Sequence, residues 1–179
     1  MNSNWPFDQP EKPGDDLAIC PCCGKQLPAD ELELTFRRPD IIAAMAVEEI
    51  ERRCAFNDEY YVLDEERYFL RCTLPLPVHG SDQPYSIGAW AELSATDFRL
   101  VWNLWSDENQ ADTPPMSARL SNMVPFHDNT LGMSAAVQLT GPHTRPEITL
   151  QESGSSLYAE QSQGIARHRA HEYARLVAG

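Results

Sequence analysis

The cysteines are the residues best suited to chemistry, and three of the five stand together in Cys20-Pro21-Cys22-Cys23-Gly24. Cys20 and Cys23 have the spacing that lets two thiolates face one tetrahedral ion. This is half of a zinc site, because zinc normally takes four ligands and the sequence has no second Cys-x-x-Cys motif. Zinc held by Cys20 and Cys23 is therefore one hypothesis, and a turn that keeps its shape without metal is the other. Candidates to complete the site are Cys22, Cys54, Cys72 or a histidine.

A second group with metal-binding residue types lies near the C-terminus. His168, His171 and Glu172 are three and four residues apart, so a helix would place them on one face. Their order is not the His-Glu-x-x-His pattern in which a glutamate acts as base beside zinc. Arg167 and Arg169 flank the group and would repel a cation, so we interpret it as a solvated helix face.

The sequence contains no recognisable motif for nucleophilic or phosphate chemistry. Ser153-Gly154-Ser155 lacks the Gly-x-Ser-x-Gly pattern, and no glycine-rich phosphate loop is present. Adjacent acids such as Glu48-Glu49 and Glu65-Glu66 are typical of a hydrated surface in so acidic a chain. An enzyme would therefore need a site assembled from scattered residues.

The charge balance limits the classes of partner. The 179 residues include 14 Lys and Arg but 27 Asp and Glu, for a net charge of −13. This excess argues against binding bare DNA or RNA, because phosphate contacts need basic side chains. The apolar runs are too short for a membrane span. An odd number of cysteines and a start without secretory-signal features predict a cytoplasmic protein.

The elements that must position these residues follow from the hydrophobic pattern. We predict a flexible leader at 1–16 and a single α+β domain at 17–179. Its fold would be a mainly antiparallel sheet with about three packed helices and a short N-terminal cysteine knuckle. The candidate elements are helices from Pro39 to about Cys54, after Ser94, and at 159–178 with a break at Gly164, and strands at 60–63, 68–74, 85–93, 117–122, 130–140 and 146–151.

The tryptophans are assigned to the core. Trp90 lies in a predicted strand, and Trp102 and Trp105 continue the apolar stripe that Phe98 begins on the helix after Ser94. Large aromatic side chains at such spacings are more often core than the lining of a ligand cleft. We therefore expect Trp90, Phe98, Trp102 and Phe69 to be largely buried.

An ordered series of short motifs resembles the bacterial family catalogued as domain of unknown function 2199. The resemblance runs from Cys20 to about Glu172, and its motifs are Cys20-x-x-Cys23-Gly24 with Leu27-Pro28, Tyr68-Phe69-Leu70-Arg71 with Pro75-Leu76-Pro77-Val78, Ile87-Gly88-Ala89-Trp90-Ala91-Glu92-Leu93-Ser94, Arg145-Pro146-Glu147-Ile148-Thr149-Leu150, and Leu157-Tyr158-Ala159-Glu160-Gln161 with Gly164-Ile165. Each motif is weak alone, and their order makes the match specific. The family name implies no activity, so function must come from the residues.

Two functional classes follow from these observations. The first is an acidic cytoplasmic binding protein, such as an immunity-type inhibitor that neutralises a basic toxin, because opposite charges steer association. The second is a small zinc-knuckle protein or an enzyme with a scattered site. For the binder, we predict contacts in two acidic loops beside the sheet, where binding residues concentrate. The predicted contacts are Asp58, Glu59, Tyr60, Asp64, Glu65, Glu66, Asp107, Glu108 and Asp112, with Tyr61 as an alternative aromatic anchor.

Overall fold

The structure, a computed structural model, describes residues 33–178 together with Gly24 and two short strands near the N-terminus. The strands are β1 Ala18–Ile19, β2 Gln26–Leu27, β3 Cys54–Phe56, β4 Tyr60–Leu63, β5 Arg67–Leu76, β6 Tyr85–Leu93, β7 Met116–Leu120, β8 Ser134–Gln138 and β9 Glu147–Leu150. The helices are α1 Asp40–Ala43, α2 Val47–Arg53, α3 Ala95–Leu104, α4 Ser156–Gln163 and α5 Arg167–Ala178, and a 3₁₀ turn covers Gln110–Asp112.

Seven strands form one sheet that closes into a small barrel. Their order follows the chain from β3 to β9, and each neighbouring pair is antiparallel. β9 also pairs in parallel with β5 through Thr73 and Glu147, so β5 to β9 form a closed ring. Buried and less buried residues alternate along β5, β7 and β9, as expected of strands with one face in a core. The predicted α+β fold with a mainly antiparallel sheet is confirmed.

The apolar side chains form two clusters. The larger one includes Leu74, Ile87, Val137 and Ile148, each fully or almost fully buried on a barrel strand. The smaller one joins Ile42, Ile50, Tyr61, Leu63, Phe69 and Trp90. Burial of Phe69 and Trp90 agrees with the expectation from sequence.

The three predicted helical regions are present, and two of them break into separate helices. Pro39 precedes α1, and residues 44–46 separate it from α2, so the first region gives two short helices. Ser94 caps α3, accepting a hydrogen bond from the Asp97 backbone N–H. α4 ends at Gly164, whose φ is +82°, and a Cβ there would lie 2.9 Å from Nε2 of His79. Glycine is therefore required between α4 and α5.

The remaining sequence expectations concern the N-terminus and the membrane. The predicted leader at 1–16 lies outside the described residues, and the domain boundary at 17 stays a prediction. β1 and β2 pair antiparallel and flank the cysteine motif in the chain, while Cys20, Cys22 and Cys23 themselves lie outside the described residues. None of the described helices combines the length and apolarity needed to cross a bilayer.

Candidate functional site

An exposed tryptophan of α3 meets a tyrosine of β4. The ring of Trp102 lies edge-on to Tyr60, with 5.5 Å between ring centroids, and Trp102 is 59% exposed. Phe98, one helical turn before Trp102, also lies edge-on to Tyr60 at 5.7 Å. The expectation that Trp102 is buried was therefore wrong. In α3, Phe98 and Val101 are buried, and Trp102 lies one turn after Phe98, about 40° from it and about 100° from Val101, at the edge of the buried face.

Trp105 also departs from the predicted core. It follows the last residue of α3 and is 40% exposed. The apolar stripe read from the sequence is thus wider than the part of α3 that the barrel covers. The outer side of α3 consequently presents large apolar side chains to solvent.

Acidic side chains flank the Tyr60–Trp102 pair in the chain. Exposed Asp58 and partly exposed Glu59 directly precede β4, and the exposed acids Asp107 and Glu108 follow the end of α3. We call these six residues the aromatic–acidic surface. Glu59 lies 3.6 Å from Nε of Arg145, and the Arg71 guanidinium donates to the Asp58 backbone carbonyl at 3.2 Å, so two arginines lie beside these acids. Neither Asp58 nor Glu108 forms a direct ion pair among the described residues.

The other predicted contacts lie apart from this surface. Asp64, Glu65 and Glu66 form the turn at the opposite end of β4 from Tyr60. Arg53 hydrogen-bonds both carboxylate oxygens of Asp64, and these hydrogen bonds lower the pKa of Asp64. Glu65 and Glu66 are exposed, as is Asp112 in the 3₁₀ turn, while Tyr61 is buried and stacks on Phe56 at 5.0 Å. Asp58, Glu59 and Tyr60 are consecutive in the chain, and the length of β4 separates them from the 64–66 turn.

The described cysteines do not make a metal site. Cys72 is fully buried in the barrel, and this burial raises the pKa of its thiol, which keeps it protonated. Cys54 begins β3 and is partly exposed. Within residues 33–178 and the two short N-terminal strands, no three His, Cys, Asp or Glu side chains are grouped to hold a metal. Zinc binding by Cys20 and Cys23 stays a prediction.

A second candidate site is a network of polar side chains around His127, which sequence analysis did not find. Nδ1 of His127 lies 2.6 Å from Oγ of Ser156, and Nε2 lies 2.7 Å from the Tyr173 hydroxyl and 3.2 Å from Oε2 of Glu160. Tyr173 donates to Oε2 of Glu160 at 2.7 Å, and Arg169 Nε donates to Oε1 at 2.7 Å. We call these five residues the polar cluster.

The protonation states in the polar cluster follow from these contacts. Burial alone would raise the pKa of Glu160, but hydrogen bonds from His127, Tyr173 and Arg169 outweigh it and lower that pKa. Burial, and then the hydrogen bond to Glu160, raise the pKa of Tyr173. At neutral pH the cluster therefore holds an ionised Glu160 and a protonated Tyr173.

The loop before β8 fixes His127 in the polar cluster. Thr130 accepts a hydrogen bond from the Val124 backbone N–H at 2.7 Å and donates to the Asn122 carbonyl at 2.9 Å. Phe126 has a φ of +71°, which is uncommon for a residue with a side chain. Its ring is 50% exposed and lies under the guanidinium of Arg169 at 4.5 Å. A strained backbone held by its neighbours often marks a functional site.

The polar cluster also changes the interpretation of α5. The sequence predicted a solvated face for His168, His171 and Glu172, but His171 is only 9% exposed. Glu172 accepts a hydrogen bond from Arg169 at 2.9 Å. Arg169 therefore binds two carboxylates and supports the cluster rather than repelling a cation in solvent. The only signal in the sequence for these ion pairs was the position of Arg169 between His168, His171 and Glu172.

Comparison with protein families matches residues 19–165 to the model described as an uncharacterized protein conserved in bacteria, DUF2199. The chain belongs to this family. No curated protein and no solved structure matches it. In this DUF2199 member, the aromatic–acidic surface lies within the matched range, whereas Arg169 and Tyr173 of the polar cluster follow it.

Proposed function

We propose that this chain is a binding protein that captures a basic protein partner on the aromatic–acidic surface, as an immunity-type inhibitor captures a toxin. The observation that carries the proposal is Trp102, which is 59% exposed and held against Tyr60. Tryptophan and tyrosine are enriched among the few residues that supply most of the energy of protein interfaces. The contact with Tyr60 limits the freedom that Trp102 would lose on binding.

The acids that neighbour these two rings in the chain favour a basic partner. Arg71 and Arg145 offset part of the charge of Asp58 and Glu59, but Glu108 forms no direct ion pair among the described residues and the whole chain carries a charge of −13. A basic surface would complement this charge and associate faster than a neutral one. A toxin whose own substrate is nucleic acid would present such a surface. A cytoplasmic location is part of the proposal and rests on the odd number of cysteines.

The test is co-expression with each basic protein encoded next to this chain, followed by equilibrium binding of the purified pair. The chain is expected to restore growth in cells that produce the toxic neighbour. Trp102→Ala is expected to weaken binding about 30-fold or more, which corresponds to about 2 kcal/mol for an interface anchor. Leu131→Ala is the matched control, because Leu131 is 53% exposed and lies outside the surface.

Two results would contradict the proposal. One is that no neighbouring basic protein binds the chain. The other is that Trp102→Ala and Leu131→Ala both bind the partner with wild-type affinity, which would place the interface elsewhere.

A further inference from the structure

The contact between Ser156 and His127 has the form of an activated nucleophile. Ser156 is the first residue of α4 and is exposed, whereas the side chain of His127 is only 1% exposed. Their Oγ and Nδ1 atoms are 2.6 Å apart. Serine is activated for covalent chemistry when its hydroxyl contacts a shielded imidazole whose other nitrogen contacts a carboxylate.

The other ring nitrogen of His127 is fixed by its neighbours. Tyr173 donates its one proton to Glu160, so the tyrosine oxygen can only accept from Nε2 of His127, 2.7 Å away. The second acceptor near Nε2 is a carboxylate, Oε2 of Glu160. In the neutral ring the proton is therefore on Nε2, and the bare Nδ1 accepts the hydrogen bond from Ser156.

We propose that Ser156 is a nucleophile for acyl transfer, with His127 as its general base and Glu160 as the positioning carboxylate, and that its substrates are carboxylic esters with a small apolar acyl group. The acyl preference follows from Phe126, which directly precedes His127, is half exposed and packs on Tyr173 at 5.4 Å. One face of the Phe126 ring lies under the guanidinium of Arg169, and the exposed remainder is the apolar surface next to His127 in the chain.

The reaction balances with water as the only co-reactant. Oγ of Ser156 bonds to the ester carbonyl carbon while its proton moves to Nδ1 of His127. The ester C–O bond then breaks, and the alcohol leaves with that proton. Water attacks the acyl-serine with His127 again accepting the proton, which releases the carboxylic acid and restores Ser156. The backbone N–H of Ser156 belongs to the first helical turn, which has no intrahelical acceptors, so it is available to the oxyanion.

This site is separate from the aromatic–acidic surface. α3 packs near the start of β5, where Phe98 meets Tyr68 at 5.2 Å. α4 packs near its end, where Gln161 reaches the carbonyl of Pro75. Seven residues of extended strand separate Tyr68 from Pro75, or about 23 Å at about 3.3 Å per residue. The esterase proposal therefore stands or falls independently of the binding proposal.

The experiment treats the full chain with an alkyl fluorophosphonate and follows the intact mass, then maps the adduct by peptide sequencing. We expect one adduct per chain, on Ser156, and none in Ser156→Ala. His127→Gln is expected to slow labelling about 100-fold or more, as loss of a general base does. Glu160→Gln should slow it at least about 10-fold, because the ring tautomer is no longer fixed. The rate of p-nitrophenyl butyrate hydrolysis should fall most in Ser156→Ala, less in His127→Gln and least in Glu160→Gln.

Ser162→Ala is the matched control. Ser162 is exposed on the same helix, and its hydroxyl donates to the backbone carbonyls of Tyr158 at 2.8 Å and Ala159 at 3.4 Å. It should label at the wild-type rate. The proposal is overturned if the folded wild type takes no adduct. It is also overturned if Ser156 labels equally fast in a folded Glu160→Gln or His127→Gln variant, because the serine would then react without the proposed base.

Discussion

Replacing Gln161 by leucine tests how the barrel closes between β5 and β9. The ladder between these strands has one residue pair, Thr73 with Glu147. Beyond it, the Gln161 amide fills the gap. Its Oε1 accepts from the Leu150 N–H at 2.7 Å, and its Nε2 donates to the carbonyls of Ile148 at 2.8 Å and Pro75 at 3.3 Å. A side chain therefore replaces the missing strand pairing.

The magnitude follows from the groups that lose their partner. Gln161→Leu keeps the approximate size of the side chain but removes the hydrogen-bond partner of one backbone N–H and two backbone carbonyls. Each buried group left without a partner costs about 1–3 kcal/mol. Because Gln161 is partly exposed, water can reach some of these groups. We expect a loss of about 2–4 kcal/mol in the free energy of unfolding, or about 5–15 °C in Tm.

The assay is urea unfolding combined with hydrogen exchange. The midpoint should fall with an unchanged m-value, and the Leu150 amide should exchange faster than in the wild type. Gln163→Leu is the control, because Gln163 is exposed at the end of the same helix. A Gln161→Leu variant within about 0.5 kcal/mol of this control would refute the reasoning, since that is the range of ordinary surface substitutions.

Three further predictions concern the core, the pH dependence and the metal. Trp90→Ala should lower the free energy of unfolding in urea by about 3–5 kcal/mol, because Trp90 is 1% exposed. Trp102→Ala should lower it by about 1 kcal/mol or less, and equal losses would contradict the burial of Trp90 and the exposure of Trp102. The pKa of Glu160 is lowered below its ordinary 4.5, so its ionised form stabilises the fold at neutral pH and this contribution is lost as pH falls through the folded pKa. The difference in unfolding free energy between wild type and Glu160→Gln should thus shrink from pH 7 to about pH 3, and a constant difference would contradict the assignment. If zinc binds, native mass spectrometry should show one ion per chain that Cys23→Ser removes; a folded, metal-free wild type would exclude it.

The sequence predicted six of the seven strands of this sheet, because alternation and turn residues are local signals, and missed β3, which directly follows α2. Tyr60–Leu63 and Tyr85–Leu93 are observed with the predicted bounds, and the break at Gly164 lies where expected. Closure of the barrel was not predictable, because it depends on a single parallel pair and on one glutamine side chain. Such contacts leave no periodic pattern in the sequence.

The candidate sites were predicted only in part, for a similar reason. The acids near Tyr60 were found because a loop rich in Asp and Glu can be recognised from the sequence alone. The exposure of Trp102 was missed, because a helical stripe shows which residues are apolar but not how wide a face the neighbouring sheet covers. The polar cluster was missed because His127 is 29 residues from Ser156 and 46 from Tyr173. Only the fold brings these residues together.

The most direct test of the binding proposal is the association rate with the basic protein encoded beside this chain, measured from about 0.01 M to about 0.1 M salt. Over this range the Debye length falls from about 30 Å to about 10 Å. Association should slow as salt rises, and Asp58→Lys should slow it further at low salt. Asp82→Lys is the control of equal charge, because Asp82 is exposed in the loop beyond the end of β5, whereas Asp58 lies beside the middle of β5, where the Arg71 N–H donates to the Glu59 carbonyl. The account predicts that Asp58→Lys reduces the rate more than Asp82→Lys does. Equal rates for the two variants, or a rate that does not change with salt, would contradict it.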